Sequence, residues 1–229
     1  MRILSLLILC SVAGLSGWSA QASVGAKDGL TARWKVSSTV SPKIIAGTIV
    51  NGCFTQGSIA DSDGPLDIAI AGEGWIPLQS VDGEIVYTRY GRLVMDDKGF
   101  LSHAPSGLPA VTYVAGKFEK IDLAGHAVRK FILDRKDSTA KLNAVTVSSS
   151  GSIDGLFSNG QLVSIGQIQL AAFENQRALK LISKSEHTFA APSSSGEVAF
   201  VNPQTHPVGQ LMGKSLETVP TDRYSRKCL

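Results

Sequence analysis

Gly64-Pro65-Leu66-Asp67-Ile68-Ala69-Ile70-Ala71-Gly72-Glu73-Gly74-Trp75-Ile76-Pro77-Leu78-Gln79, with Asp82-Gly83 and Ile85-Val86-Tyr87-Thr88-Arg89 after it, is the stretch that decides the fold. Leu66, Ile68 and Ile70 alternate with Asp67 and Ala69, which predicts a strand with one buried face. Gly72-Glu73-Gly74 supplies a hairpin turn, after which Trp75 to Gln79 runs on as the next strand. Asp82-Gly83 between Trp75–Gln79 and Ile85–Arg89 is a strong hairpin signal, because both turn residues tolerate φ > 0. Short strands with frequent turns mark a β meander.

The pattern continues downstream. Leu93 to Met95 and Phe100-Leu101 flank Asp96-Asp97-Lys98-Gly99, a second hairpin with Gly99 in the left-handed position. Residues 102–141 are interrupted by Pro105, Gly107, Pro109, Gly116 and Gly125, with strands expected at Val111–Val114 and Val128–Leu133, and read as a small inserted lobe. From Leu142 the regular pattern resumes: Ala144 to Val147, a serine-rich turn through Gly151, then Leu156-Phe157 and Leu162-Val163 around Asn159-Gly160. Ile165 to Phe173 reads as one long strand with Ile168, Leu170 and Ala172 on a shared face. Asn175 to Leu181 reads as one short helical turn, and Thr188 to Ala190 and Val198 to Val201 as strands around a turn at Ser193–Gly196. Trp75, Tyr87, Tyr90, Phe157 and Phe173 are expected as core anchors. No heptad pattern occurs. The expected fold is mainly β, an extended meander or sandwich-like domain over residues 53–218.

Upstream, Arg2 precedes an apolar run, Ile3 to Leu15, which is short for a bilayer span and fits the core of a secretory signal peptide. Ala20-Gln21-Ala22 supplies the small-x-small cleavage pattern, placing the cut after Ala22. Residues 1–22 are therefore expected to direct Sec export to the periplasm or outer envelope, leaving no stable membrane insertion once removed. Residues 23–52 form a lead-in in which Ala32, Trp34 and Val36 share a strand face and Ile44 to Val50 forms another strand. Residues 219–229 read as a flexible polar tail. Of three cysteines, Cys53 and Cys228 remain after the leader, in a compartment that permits disulfides. Either they stay free thiols or they pair, closing a loop of about 175 residues worth ~4 to 5 kcal/mol in the chain-entropy model.

Composition narrows function by exclusion. A formal net charge of +3 without any dense basic stripe argues against nucleic-acid binding. His103, His126, His187 and His206 are scattered without metal-ligand spacing, and Asp61, Asp63 and Asp67 lack the rest of a calcium loop. Gly72-Glu73-Gly74 has no third glycine and precedes a strand, so it cradles no pyrophosphate. No nucleophile elbow is present. Neither a catalytic residue nor a cofactor or metal is expected. The reading is a non-enzymatic structural or interaction protein of the cell envelope, its rival a secreted binding module for glycan or protein on the same β scaffold.

Several motifs carry a more specific likeness. Phe54-Thr55-Gln56-Gly57, followed by Gly64-Pro65-Leu66-Asp67-Ile68-Ala69-Ile70-Ala71-Gly72-Glu73-Gly74-Trp75, resembles the FTQG and NPLDLAIDGEGFF motifs of flagellar hook and basal-body rod proteins. Tyr87-Thr88-Arg89-Tyr90-Gly91 is similar to that family's YTRxG. Phe157-Ser158-Asn159-Gly160, Gly166-Gln167-Ile168-Gln169-Leu170-Ala171 and Phe173-Glu174-Asn175 resemble its YSNG hairpin and GQIxLAxFxN segment, and Leu216-Glu217-Thr218 its closing LExSN. The resemblance spans about residues 53–218 in co-linear order. It implies the β-rich globular body of those proteins, structural roles for the matched residues, and protein partners among basal-body or hook components or further copies. Members begin and end with long axial helices and lack a cleaved leader, so a periplasmic relative that keeps only the globular body is expected here. The likeness also implies that the ends of the body lie close together, which favours the Cys53–Cys228 bridge as a clamp.

Overall fold

The computed structural model describes residues 48–50, 53–125 and 140–218. The chain divides into two units, Met1–Ser37 and Ser38–Leu229, and every described residue belongs to the second. The expected leader, the lead-in strand of Ala32, Trp34 and Val36, the Val128–Leu133 strand, the tail and Cys228 lie outside the described residues.

Six hairpins of consecutive strands build the first part of the described body. Strands β1 (Thr48–Val50) and β2 (Cys53–Thr55) pair first, with Phe54 opposite Ile49. After β3 (Ser58–Asp61) and β4 (Ile68–Ala71), β5 (Ile76–Gln79) and β6 (Ile85–Thr88) join around Gly83 at φ 87°. Strands β7 (Leu93–Met95) and β8 (Leu101–His103) join around Gly99 at φ 88°, where the Asp96 carboxylate accepts from the backbone N–H of Lys98 and Phe100. Strands β9 (Val111–Val114) and β10 (Lys117–Lys120) follow, then the sheet of β11 (Leu142–Val147), β12 (Ser152–Phe157) and β13 (Leu162–Gln167), the last two turning at Asn159-Gly160.

Pairing between distant segments then overrides the simple meander. The remaining strands are β14 (Leu170–Phe173), β15 (Lys180–Ser183), β16 (Thr188–Ala190), β17 (Val198–Val201), β18 (Gln210–Gly213) and β19 (Ser215–Thr218). Strand β4 pairs with β18 and β3 with β19, so the end of the body returns beside its beginning. Residues 62–67 loop out between the two pairs, where the Ser62 N–H donates to the Lys214 carbonyl. The sheet β15-β16-β6-β5 is likewise built from two distant hairpins, and β14 pairs with β17. The mainly β expectation holds, and the described residues contain only two helical segments, single 3-10 turns at Gln176–Ala178 and Ser193–Ser195.

Three local expectations need correction. Gly72-Glu73-Gly74 is no hairpin, because β4 and β5 pair with different partners; both glycines have positive φ, 113° and 125°, and carry the chain between sheets. Strand β4 does not bury one face alone: Ile68, Ala69 and Ile70 are all fully buried and Asp67 nearly so, since neighbouring layers cover both sides. The long strand Ile165–Phe173 breaks between Gln167 and Leu170, where the Ile168 N–H bonds to the Gly151 carbonyl and the chain leaves one sheet for another. Ala171, expected to face away, is buried and bridges to Trp75.

The main core gathers Ile68, Ile70, Ile76, Leu78, Leu101, Ile153, Phe157, Leu170 and Leu211. Ala110, Ile121 and Leu123, from the stretch read as an inserted lobe, belong to it too. Beside it, Trp75 packs edge-on to Phe189 at 5.0 Å, and Tyr87 to the half-buried Phe173 at 4.8 Å. Such edge-to-face pairs match the positive rim of one ring to the negative face of the other.

Candidate functional site

Most of the sequence motifs meet at one point, the guanidinium of Arg89. Arg89 follows the last residue of β6 and is completely buried, so each donor must find an acceptor within the protein. Nε donates to Glu217 Oε2 at 2.9 Å. Nη1 donates to the carbonyls of Gly72 and Gly74 at 2.9 and 2.8 Å, and Nη2 to that of Ile70 at 3.1 Å. The positive φ at Gly72 and Gly74 gives the connection a course that residues with a Cβ rarely adopt, and both carbonyls end on the same cation.

Glu217 is equally buried, and its other oxygen accepts the Gly57 N–H at 2.7 Å. Gln56 completes the ring: its Nε2 donates to the Ile70 carbonyl and its Oε1 accepts the Gly72 N–H, both at 3.0 Å. Gly57 lies so near β19 that a Cβ would sit 1.7 Å from the Thr218 carbonyl oxygen. The network thus fastens β3, β4, β6 and β19 and the β4–β5 connection. Burial pulls the Arg89 pKa below its ordinary value, while the charge and hydrogen bond of Glu217 oppose that shift.

The other matched residues support neighbouring joints. Asp67 accepts the Ser62 hydroxyl; burial raises its pKa against the lowering effects of Ser62, Arg92 and the Leu93 backbone. Leu66 is buried in the core behind Pro65. A Cβ on Gly91 would meet the Ile68 carbonyl oxygen at 2.0 Å, where the two chains bridge. Thr88 caps its own turn by accepting the Tyr90 N–H, and Trp75 Nε1 reaches Gln176 Oε1 at 3.3 Å. Gly166 lets Ile121 and Ile153 close over β13. Asn175 holds the segment 194–195 through its backbone N–H to the Ser195 carbonyl and its Nδ2 to that of Ser194. Phe54 and Cys53 are placed in β2 by their backbone.

Sequence reasoning named Arg89 but did not connect it to Glu217. The signal was available: an arginine inside an apolar strand run requires an acid, and Glu217 stands between Leu216 and Thr218 in a similar run. His103, one of the four histidines scattered without metal-ligand spacing, is no surface residue: it is fully buried with Nδ1 2.8 Å from Ser106 Oγ and its ring edge-on to Tyr90. Burial first, and His187 second, lower the His103 pKa to about 4 against a Tyr90 backbone bond that raises it.

Chemically, the arginine network is a clasp. Both Glu217 oxygens are engaged, one by the Gly57 N–H and one by Arg89. No group of three or more His, Cys, Asp or Glu is placed to hold a metal among the described residues. A cleft of about 230 Å³ between Pro65, Thr146, Val147, Gly213 and Lys214 assembles no acid–base pair. Among the described residues no helix is long and apolar enough to cross a membrane.

No family model matches the chain. It is similar to proteins named flagellar basal-body rod protein FlgG. The one from Caulobacter vibrioides is 28% identical over 171 residues, 74% of this chain and 56% of the relative. That of Buchnera aphidicola subsp. Schizaphis graminum is 27% identical over 165 residues, 72% and 54% of the two chains. That of Agrobacterium fabrum is 24% identical over 169 residues, 73% and 55%. The match spans little more than half the length of these curated relatives.

Proposed function

We propose that the protein is a non-enzymatic structural component associated with the bacterial flagellum, acting through contacts with basal-body or hook proteins from the periplasmic side of the envelope. The observation that carries this reading is the convergence of the rod-protein-like motifs, from Gln56 to Glu217, on one buried clasp in a β-rich chain similar in sequence to FlgG proteins. Such a clasp makes a rigid scaffold, which suits a part whose work is to hold position. Export by a Sec leader rests on Ile3–Leu15 and Ala20-Gln21-Ala22.

A deletion strain complemented with a tagged copy tests the proposal. Impaired swimming, with the tag co-localising with motors, is the expected result. Normal swimming with no motor association overturns it and leaves the envelope binding module as the reading to pursue.

A further inference from the structure

Strand β15 is the edge of the sheet β15-β16-β6-β5, so one side of its backbone is unpaired within that sheet. A bulge interrupts its ladder: Leu181 faces Phe189 and Ser183 faces Thr188, which leaves Ile182 without a cross-strand partner. Leu181 and Ile182 are 52% and 55% exposed, side by side. Arg177, Lys180 and Lys184, in the same stretch of chain, are exposed, and none is in an ion pair with another described residue. The acids nearest in sequence are Glu174, exposed, and Glu186, half-buried.

Isolated exposed aliphatics are ordinary, but an adjacent exposed pair in an eight-residue segment that also carries three exposed cations is a pattern with a physical use. A partner strand is disfavoured, since a bulge and flanking lysines are the devices that block strand addition at an edge. A second copy docked edge to edge would bring cation against cation. An anionic lipid surface has neither problem: the aliphatics enter the boundary between headgroups and acyl chains while the long cationic side chains reach the phosphates. We infer that the segment Arg177–Lys184 docks on anionic lipid, with Leu181 and Ile182 inserted and Arg177, Lys180 and Lys184 on the headgroups. The inference does not depend on the flagellar reading.

Hydrogen exchange of the full chain, read at residues 177–184, tests it whatever other segments do. Phosphatidylglycerol–phosphatidylcholine vesicles are compared with pure phosphatidylcholine, and the β12–β13 hairpin, with exposed Leu156 and Leu162, serves as an apolar control. The expected result is exchange slowed roughly tenfold at 177–184 on anionic vesicles alone, with the protection lost in K180E/K184E and in L181S/I182S. An unchanged melting temperature verifies that these surface variants fold, and the single variant K180E, with partial loss, serves if either double variant does not. Equal protection by neutral vesicles, no protection at all, protection by soluble polyglutamate without lipid, or protection that persists in the variants overturns the inference; the polyglutamate outcome points to an acidic protein instead.

Discussion

Arg89 and Glu217, 128 residues apart in the chain, meet through Nε and Oε2 at 2.9 Å with neither side chain exposed. Removing one partner of such a pair leaves an uncompensated buried charge, at a cost of about 3–5 kcal/mol, whereas replacing both with apolar residues is far milder. Glu217→Ala is therefore expected to lower stability by that amount in urea unfolding, and Arg89→Met/Glu217→Leu to cost less than the sum of its singles while still stranding the Ile70, Gly72 and Gly74 carbonyls and the Gly57 N–H. A double variant as unstable as the sum of its singles would show that the pair is not coupled.

Gly57→Ala and Gly83→Ala separate steric exclusion from backbone strain. At Gly57 a Cβ meets the Thr218 carbonyl at 1.7 Å, and the strand pairing must shift. At Gly83 nothing lies within 4 Å, but φ is 87°. The first substitution is expected to cost more than about 2 kcal/mol and the second about 1 kcal/mol, measured by the same unfolding assay.

His103 makes stability depend on pH. Its folded pKa of about 4 lies below the 6.5 of an unhindered imidazole, so the unfolded chain takes up the proton first. The stabilisation is fully present above pH 6.5 and fades as pH falls toward 4, by roughly 3 kcal/mol in all. His103→Asn is expected to flatten the stability curve across that window relative to the parent. Comparing the two proteins at each pH cancels the opposite slope contributed by Asp67, whose raised pKa favours the folded state as pH falls. Parallel curves would remove His103 as the cause.

Trp75 is expected to report on the second core. It is 1% exposed and packs edge-on to Phe189, so Trp75→Ala should cost about 3–5 kcal/mol, and Phe189→Leu, which keeps most of the volume, should cost less and alter the tryptophan fluorescence. A spectrum unchanged by Phe189→Leu would contradict the ring contact.

We propose that Cys53 and Cys228 pair as a disulfide where the compartment is oxidising. Mass measurement after alkylation, with and without reduction, checks this: both thiols labelling without reductant would exclude the bridge. If the bridge is present, Cys228→Ser should lower stability by up to ~4 to 5 kcal/mol.

The sequence by itself determined the local events. Asp82-Gly83, Asp96–Gly99 and Asn159-Gly160 became the turns they promised, because a two- to four-residue turn depends on which residues tolerate positive φ and on little else. It also determined the β class and, through co-linear motifs, the likeness to rod proteins. Only the tertiary structure decided what those motifs do. That β4 is covered on both faces, that Gly72 and Gly74 link two sheets, and that Gln56, Gly57, Arg89 and Glu217 form one clasp all follow from β18 and β19 returning to β4 and β3. Alternation in one strand records which residues prefer burial, but it does not record which distant strand will supply the cover or the counter-charge. That choice is made by the whole chain at once, where a buried cation and a buried acid are tolerable only together.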